Sequence, residues 1–263
     1  MISRSFLPSN WRPLLWSTFR SAALAYLIVL LMLSILERWL VFPAPSTHGV
    51  DWQPAGVEFE DVYFTSSDGT QLHGWYVPHE NPRATVLYCH GNAEDVPRLA
   101  DRLKILHARI GVAVFAWDYR GYGRSHGTSH ETNVIDDAKQ AMAWLAGRTG
   151  TSSQSIVVMG RSLGGAVAIA VAAEMPIRGL VLDRTFAKLT DAAAVHFPWI
   201  PVRLLMKNRF WSVDRIAAYK GPLLQTHGTE DEAITLTMDE ELFAASKSEE
   251  KRCLRVEGVD HKG

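Results

Sequence analysis

A serine between closely spaced glycines lies directly between a strand pattern and a helix pattern. The segment is Gly160-Arg161-Ser162-Leu163-Gly164-Gly165, with an apolar β-rich run at 155–159 before it and a run of small residues to position 174 after it. A strand that turns sharply into a helix through glycines lifts a serine hydroxyl out of the sheet. The helix N-terminus behind that turn favours developing negative charge. The sequence therefore predicts that Ser162 is a nucleophile on a strained elbow, the alternative being a glycine-rich helix start that only packs closely.

The chain beyond position 45 alternates short β-rich runs with helix-periodic stretches. This alternation is typical of an α/β fold, a mostly parallel twisted sheet with helices on both faces. The predicted elements are an opening hairpin at 57–65 and 71–77, strands at 84–89, 112–117, 155–159, 179–182, 222–226 and 252–256, and helices at 96–108, 134–145 and 163–174. An aromatic segment at 186–211 breaks the alternation, and we expect it to form a short cap near the site.

A serine hydroxyl needs a base and a carboxylate that orients the base. In this type of fold the chain order is serine, acid, histidine. Asp231 and His261 follow two later predicted strands, so both fall at the sheet edge that carries Ser162. They are the predicted acid and base. Other carboxylates compete for the acid's role: Asp183 as a reserve after a strand, and Glu230 and Glu232 as members of a solvated acidic loop.

The tripeptide His90-Gly91-Asn92 follows the strand predicted at 84–89. In an elbow architecture the loop after that strand and the residue after the nucleophile supply the backbone N–H groups that bind an oxyanion. The predicted donors are therefore Asn92 and Leu163. The alternative is a turn that contains a structural core histidine.

The first 45 residues differ from the rest, because positions 21–36 carry no charge. A bilayer span needs about 20 mostly apolar residues, which this run reaches with its apolar flanks. We expect a tail and uncleaved transmembrane anchor at 1–45, because Phe42-Pro43-Ala44-Pro45 is a poor cleavage site for a signal peptide. Three arginines precede the run, Arg4, Arg12 and Arg20, so we expect a single-pass protein with a cytoplasmic N-terminus and its main domain on the outer, periplasmic or lumenal side. The alternative is a buried helix of the globular domain.

The composition argues against some classes of binding partner. Lys and Arg number 27 against 28 Asp and Glu, a formal charge of −1, so no basic field attracts nucleic acid. The two cysteines, Cys89 and Cys253, lack the spacing of a zinc or redox motif, and we expect core positions for both, with a disulfide as the lesser alternative. We expect a monomer.

Several segments together resemble the alpha/beta-hydrolase family and, within it, the membrane-anchored Bem46-like group that includes abhydrolase-domain proteins 13 and 17. The matching segments are His90-Gly91-Asn92-Ala93, Asp118 to Ser125, Gly160 to Gly165, Phe197 to Pro201 with Arg209-Phe210, and His227 to Asp231. The resemblance implies hydrolysis of a carboxylic ester or thioester in a small molecule, lipid or acyl-protein, without a metal or organic cofactor. Such domains usually continue past the histidine, so we expect the domain at 46–263 to lack the last helix and to hold His261 loosely.

The leading hypothesis is therefore a serine hydrolase that acts through Ser162, His261 and Asp231. Two alternatives stay open: a membrane-tethered binding or scaffold protein with lost or impaired catalysis, and a serine peptidase of the same fold. The aromatic residues of the cap indicate either an apolar acyl pocket or ordinary core packing.

Overall fold

A single eight-stranded sheet organises residues 11–261, the part of the chain that the computed structural model describes. The strands are β1 (Glu60–Thr65), β2 (Gln71–Val77), β3 (Thr85–Cys89), β4 (Ala113–Trp117), β5 (Ile156–Arg161), β6 (Gly179–Asp183), β7 (Leu223–Gly228) and β8 (Lys251–Val256). Their spatial order is β1-β2-β4-β3-β5-β6-β7-β8. β2 pairs antiparallel with β1 and β4, and all other pairings are parallel. The mostly parallel sheet confirms the predicted α/β architecture.

Helices connect the strands and cover the sheet. They are α1 (Trp11–Val41), α2 (Ala100–Ile105), α3 (Glu131–Thr149), α4 (Leu163–Glu174), α5 (Leu189–His196), α6 (Val202–Leu205), α7 (Ser212–Ile216) and α8 (Leu236–Ala245). α2 is flanked by a 3₁₀ turn at Val96–Leu99 and a π turn at Leu106–Ile110. The sequence prediction had placed α3 too short and had missed α7 and α8, while the predicted cap segment contains α5 and α6.

α4 is the helix that the site depends on. All its residues from Leu163 to Ala172 are buried, and the apolar side chains among them belong to a core cluster shared with α3 and several strands. A second cluster, built around Trp75, Tyr88 and Leu103, packs on α2 and its flanking turns. Because apolar clusters of this size fix the positions of strand ends, the loops that leave β5 and β7 have a rigid base.

α1 precedes the sheet along the chain and differs from the other helices in the number of its large apolar side chains that are exposed. Within its segment Pro13–Val41 the most apolar stretch of 18 residues has a mean hydropathy of 2.1, and none of that stretch is buried in the protein. By length and composition this helix can cross a membrane or serve as a signal sequence. The alternative of a helix buried within the globular domain does not match the structure.

The C-terminal turns of α1 nevertheless pack on the domain. Val41 and Phe42 are buried in the core. The Phe42 and Phe210 rings pack edge to face, with 6.2 Å between their centroids. Glu37 is also buried, and its Oε1 accepts hydrogen bonds from the backbone N–H of Lys207 at 2.7 Å and of Asn208 at 2.8 Å. The side-chain amide of Asn208 donates to the same oxygen at 3.1 Å. The apolar helix is thus fixed to the end of the cap by one carboxyl group.

Replacing Glu37 should loosen this attachment. In Glu37→Ala three N–H donors lose their acceptor, which costs about 1–3 kcal/mol for a buried group. We expect the melting temperature of the full chain in detergent to fall by roughly 3–8 °C, since 1 kcal/mol corresponds to about 2–4 °C at this size. Circular dichroism measures the change, with exposed Glu80→Ala as the matched control. Equal melting temperatures for the two variants would contradict this role of Glu37.

Candidate active site

The turn between β5 and α4 places Ser162 in a backbone conformation that side chains rarely adopt. Its φ is 51° and its ψ is −118°, and such a conformation costs about 1–3 kcal/mol. The close packing around the turn requires glycines. A Cβ on Gly160 would lie 2.2 Å from the Gly164 carbonyl oxygen, and one on Gly164 would lie 2.1 Å from the Cys89 carbonyl oxygen. The glycines therefore let the turn pack against β3, as the sequence predicted.

Neighbouring residues on β6 and just after it hold the turn in place. The Ser162 N–H donates to the carbonyl oxygen of Asp183 at 3.0 Å. The Thr185 hydroxyl donates to the Ser162 carbonyl oxygen at 2.7 Å. Both backbone polar groups of the strained residue are therefore satisfied, and the side chain is left free to face the cavity.

Ser162, His261 and Asp231 form a continuous chain of hydrogen bonds. His261 Nε2 lies 3.1 Å from Ser162 Oγ, and His261 Nδ1 lies 2.8 Å from Asp231 Oδ2. Along the chain, Ser162 and His261 are 99 positions apart, and Asp231 and His261 are 30 positions apart. The structure thus brings together all three side chains that the sequence predicted for this site.

Asp231 is oriented by its own loop. Its Oδ1 accepts from the backbone N–H of Ala233 at 3.0 Å and of Ile234 at 2.8 Å, which leaves Oδ2 facing His261. Its carboxyl group is fully buried, whereas both competing glutamates of the loop, Glu230 and Glu232, are exposed. The two backbone N–H donors therefore fix the orientation of the carboxyl group.

Asp183, the reserve acid, has a different environment. Its carboxylate accepts hydrogen bonds from Arg184 Nε at 3.0 Å, from Arg184 Nη2 at 3.1 Å and from Thr226 Oγ1 at 3.0 Å. Arg161 Nε lies 3.6 Å away. Asp183 therefore supports two arginines and does not contact the histidine.

These two arginines hold the backbone of the histidine loop. Arg161 donates through one nitrogen to the His261 carbonyl oxygen and through the other to Glu94 Oε1 at 2.8 Å. Arg184 Nη1 donates to the Asp260 carbonyl oxygen at 2.8 Å. The sequence predicted a loosely held base, but the described residues hold the imidazole at both nitrogens and its backbone by charged donors. Sequence reasoning had missed both roles; an arginine inside the otherwise apolar elbow was the available signal.

The predicted oxyanion donors lie beside the nucleophile. Asn92 and Leu163 line the same cavity as Ser162 and His261. The Asn92 side-chain oxygen accepts from Tyr122 Oη at 3.0 Å and from the Ala93 N–H at 3.0 Å, which fixes the loop. Leu163 is the first residue of α4, so its N–H has no acceptor one turn back in the helix.

Two buried residues next to this loop are structural. His90 is fully buried, and its ring stacks on that of Tyr119 with 3.9 Å between the ring centroids. Its Nδ1 is hydrogen-bonded to the Gly91 carbonyl oxygen at 2.7 Å, as the core-histidine alternative predicted. Burial raises the pKa of Cys89 to about 12, so its thiol stays protonated and inert at neutral pH. Both cysteines are free. Within residues 11–261 no group of three or more His, Cys, Asp or Glu side chains could hold a metal ion.

A cavity of about 390 Å³ lies over Ser162, within the usual range for ligand pockets. Its lining is mostly aliphatic and comes from the cap helices, the Asp231 loop and α1; the polar lining groups belong to Ser34, Glu37, Asn92, Ser162, His196 and His261. The aromatic cap residue Phe197 also lines it. The segment at 186–211 therefore contributes to a pocket as well as to the core.

Comparison with known proteins agrees with this geometry. The family described as "Serine aminopeptidase, S33" matches residues 80–210. The uncharacterized protein Rv2307c of Mycobacterium tuberculosis is 37% identical over 240 residues, covering 89% of this chain and 83% of the relative. The alpha/beta hydrolase domain-containing protein WAV2 of Arabidopsis thaliana is 31% identical over 216 residues, covering 76% and 70%.

Solved structures share the fold at lower identity. The Pyrococcus furiosus esterase Pf2001 superposes with a TM-score of 0.68 at 24% identity, covering 84% of this chain and 89% of that one. An acetyl xylan esterase from Paenibacillus sp. R4 gives 0.66 at 19% identity, with 81% of each chain covered. On the sequence relatives and the shared sheet, the chain belongs to the alpha/beta-hydrolase family.

Proposed function

We propose that this chain is a serine hydrolase that cleaves a carboxylic ester or thioester through an acyl-enzyme intermediate. The observation that carries the proposal is the hydrogen-bond chain from Ser162 Oγ through His261 to the buried Asp231 carboxylate. With its proton on Nδ1, the imidazole presents an unprotonated Nε2 to the serine hydroxyl. Two of the structural neighbours are esterases, which supports this chemistry.

The steps follow from the geometry. Ser162 Oγ attacks the acyl carbonyl as His261 Nε2 takes its proton, and Asp231 stabilises the imidazolium that forms. The N–H groups of Leu163 and Asn92 stabilise the oxyanion. His261 then donates the proton to the leaving oxygen or sulfur, and water, deprotonated by the same imidazole, hydrolyses the acyl-enzyme.

A peptidase is the second candidate, because the matching family is described as a serine aminopeptidase. An aminopeptidase must bind a cationic amino terminus, for which a carboxylate in the cavity is the natural partner. Glu37 is a carboxyl among the lining residues, yet its Oε1 already accepts three N–H donors. The aliphatic lining therefore favours an acyl ester over an amino-terminal peptide.

We further propose that the protein belongs to the Bem46-like membrane-anchored group, with α1 as a single uncleaved span, a cytoplasmic N-terminus and the hydrolase domain on the outer side. The burial of Glu37, Val41 and Phe42 supports retention of the helix, because cleavage after them, at the end of α1, would remove part of the core.

The nucleophile is tested by Ser162→Ala. We expect turnover of 4-nitrophenyl acetate to fall by on the order of 10³-fold or more, and labelling by a fluorophosphonate probe to disappear. Exposed Ser152→Ala is the control and should retain both. Equal probe labelling of wild type and Ser162→Ala would reject the assignment of the nucleophile.

The acid is tested by Asp231→Asn. The amide no longer selects the correct imidazole tautomer, so kcat should fall by roughly 10³–10⁴-fold, whereas exposed Glu230→Gln should stay near wild type. Combined with Ser162→Ala, Asp231→Asn should cost little more, because residues of one triad act as a unit. A kcat for Asp231→Asn within a factor of two of wild type would assign the acid elsewhere.

The arginine that holds the histidine loop is tested by Arg161→Lys. Lysine keeps the charge beside Glu94 but lacks the fork that also reaches the His261 carbonyl oxygen. We expect kcat to fall about tenfold with KM little changed, since misplacement of a base affects the chemical step. Exposed Arg178→Lys, which also bonds a backbone carbonyl, is the control. Unchanged kcat in Arg161→Lys would show that the imidazole alone holds the loop.

A further inference from the structure

The cavity over Ser162 has one wall that does not belong to the hydrolase domain. Leu33, Ser34, Glu37, Leu40 and Val41 of α1 all line it. Their spacing of one, three and four residues places them on a single helical face. The apolar N-terminal helix is therefore part of the binding site.

The position of this wall along α1 relates the cavity to a bilayer. The same helix carries the uncharged run at 21–36, the stretch that lies in the hydrocarbon if α1 spans a membrane. Leu33 and Ser34, which line the cavity, belong to the end of that run, and the other lining residues of α1 follow it. The α1 wall of the cavity therefore lies at the level where the acyl region of the bilayer gives way to the headgroups.

The cap follows α1 toward the membrane. Tyr26 Oη donates to the carbonyl oxygen of Trp199 at 2.7 Å, and Tyr26 belongs to the same uncharged run of α1. Trp199 is 86% exposed and Leu204 is 80% exposed. Exposed apolar groups of this kind are typical of elements that insert into the headgroup and acyl boundary. The cap tip therefore lies beside the apolar part of α1 and has the chemistry of a membrane-inserted element.

Resting on the proposed function, we propose that the cavity takes the acyl chain of a glycerolipid ester that enters sideways from the bilayer, between α1 and the cap. The chain lies against Leu33, Leu40 and the cap, while its carbonyl reaches Ser162. The Ser162 Oγ to acyl carbon bond forms as the glyceryl oxygen leaves with the proton from His261. Water then releases a fatty acid and regenerates the serine.

The test uses two variants that narrow the cavity from different walls. Both are made in the full chain, reconstituted into phosphatidylcholine vesicles. Ser34→Trp fills the α1 wall, and Ala193→Phe fills the α5 wall. Ile35→Trp is the matched control, because Ile35 is 63% exposed and lies one position further along the helix, about 100° around it. The readout is the ratio of kcat/KM for 4-methylumbelliferyl palmitate to that for the acetate.

We expect both wall variants to lower this palmitate-to-acetate ratio at least about tenfold, as overfilled acyl pockets do, and Ile35→Trp to leave it near wild type. A ratio unchanged in both wall variants overturns the proposal. If neither ester is hydrolysed by wild type and the fluorophosphonate probe does not label Ser162, the proposed function fails instead, which separates the two failures.

A separate measurement tests how the acyl chain enters the cavity and which class of molecule carries it. Dioleoylglycerol placed in the same vesicles as the protein should be hydrolysed at least about tenfold faster than in separate vesicles, because transfer through water is costly for long chains. Mass spectrometry of released oleate measures both rates. Equal rates in the two arrangements overturn entry from the bilayer. A soluble S-palmitoyl peptide that is hydrolysed with a higher kcat/KM than the co-reconstituted glycerolipid would assign the cavity to acyl-proteins.

Discussion

The left-handed backbone at Ser162 is the constraint on which the rest of the site depends. A residue held at a φ of 51° keeps that conformation only when its surroundings over-determine it. Here the surroundings are the Asp183 carbonyl, the Thr185 hydroxyl and two glycines that admit the carbonyls of β3 and α4. The conformation turns the serine side chain away from the sheet while the start of α4 stays buried beneath it. Strain in the turn is therefore offset by the packing of β5 and α4.

The same elbow also positions the base, through a residue that has no place in the chemistry. Arg161 is the residue before the serine, and it reaches Glu94 on one side and the His261 carbonyl oxygen on the other. Arg184, paired with Asp183, holds the adjacent carbonyl of Asp260. Buried guanidinium groups are stable only when carboxylates pair with them. Asp183 and Glu94 thus serve the geometry of the site without contacting the imidazole.

Much of the fold followed from local patterns, because strands buried on both faces appear as continuous apolar runs and chain order identifies the acid and base. β2 and α4 end where the sequence predicted. What the patterns missed depends on contacts between distant residues. α8 carries three acidic residues at its centre and lacks a long apolar stripe, and the arginine contacts to residues 260 and 261 join segments about 80–100 positions apart. Glu37 looked like an interruption of an apolar run until its partners, 170 positions away, were known.

The Glu37 carboxyl group gives α1 a fixed orientation relative to the domain. A helix that served only as a tether would need no fixed orientation relative to the domain, and a flexible linker would suffice. α1 instead ends in buried residues, is bonded to the end of the cap at Glu37 and touches the cap tip at Tyr26. Two attachments about 16 Å apart along one helix fix both its tilt and its rotation. A helix held at both points stays in place as a wall of the cavity over Ser162, which under the proposed function gives it a part in substrate selection.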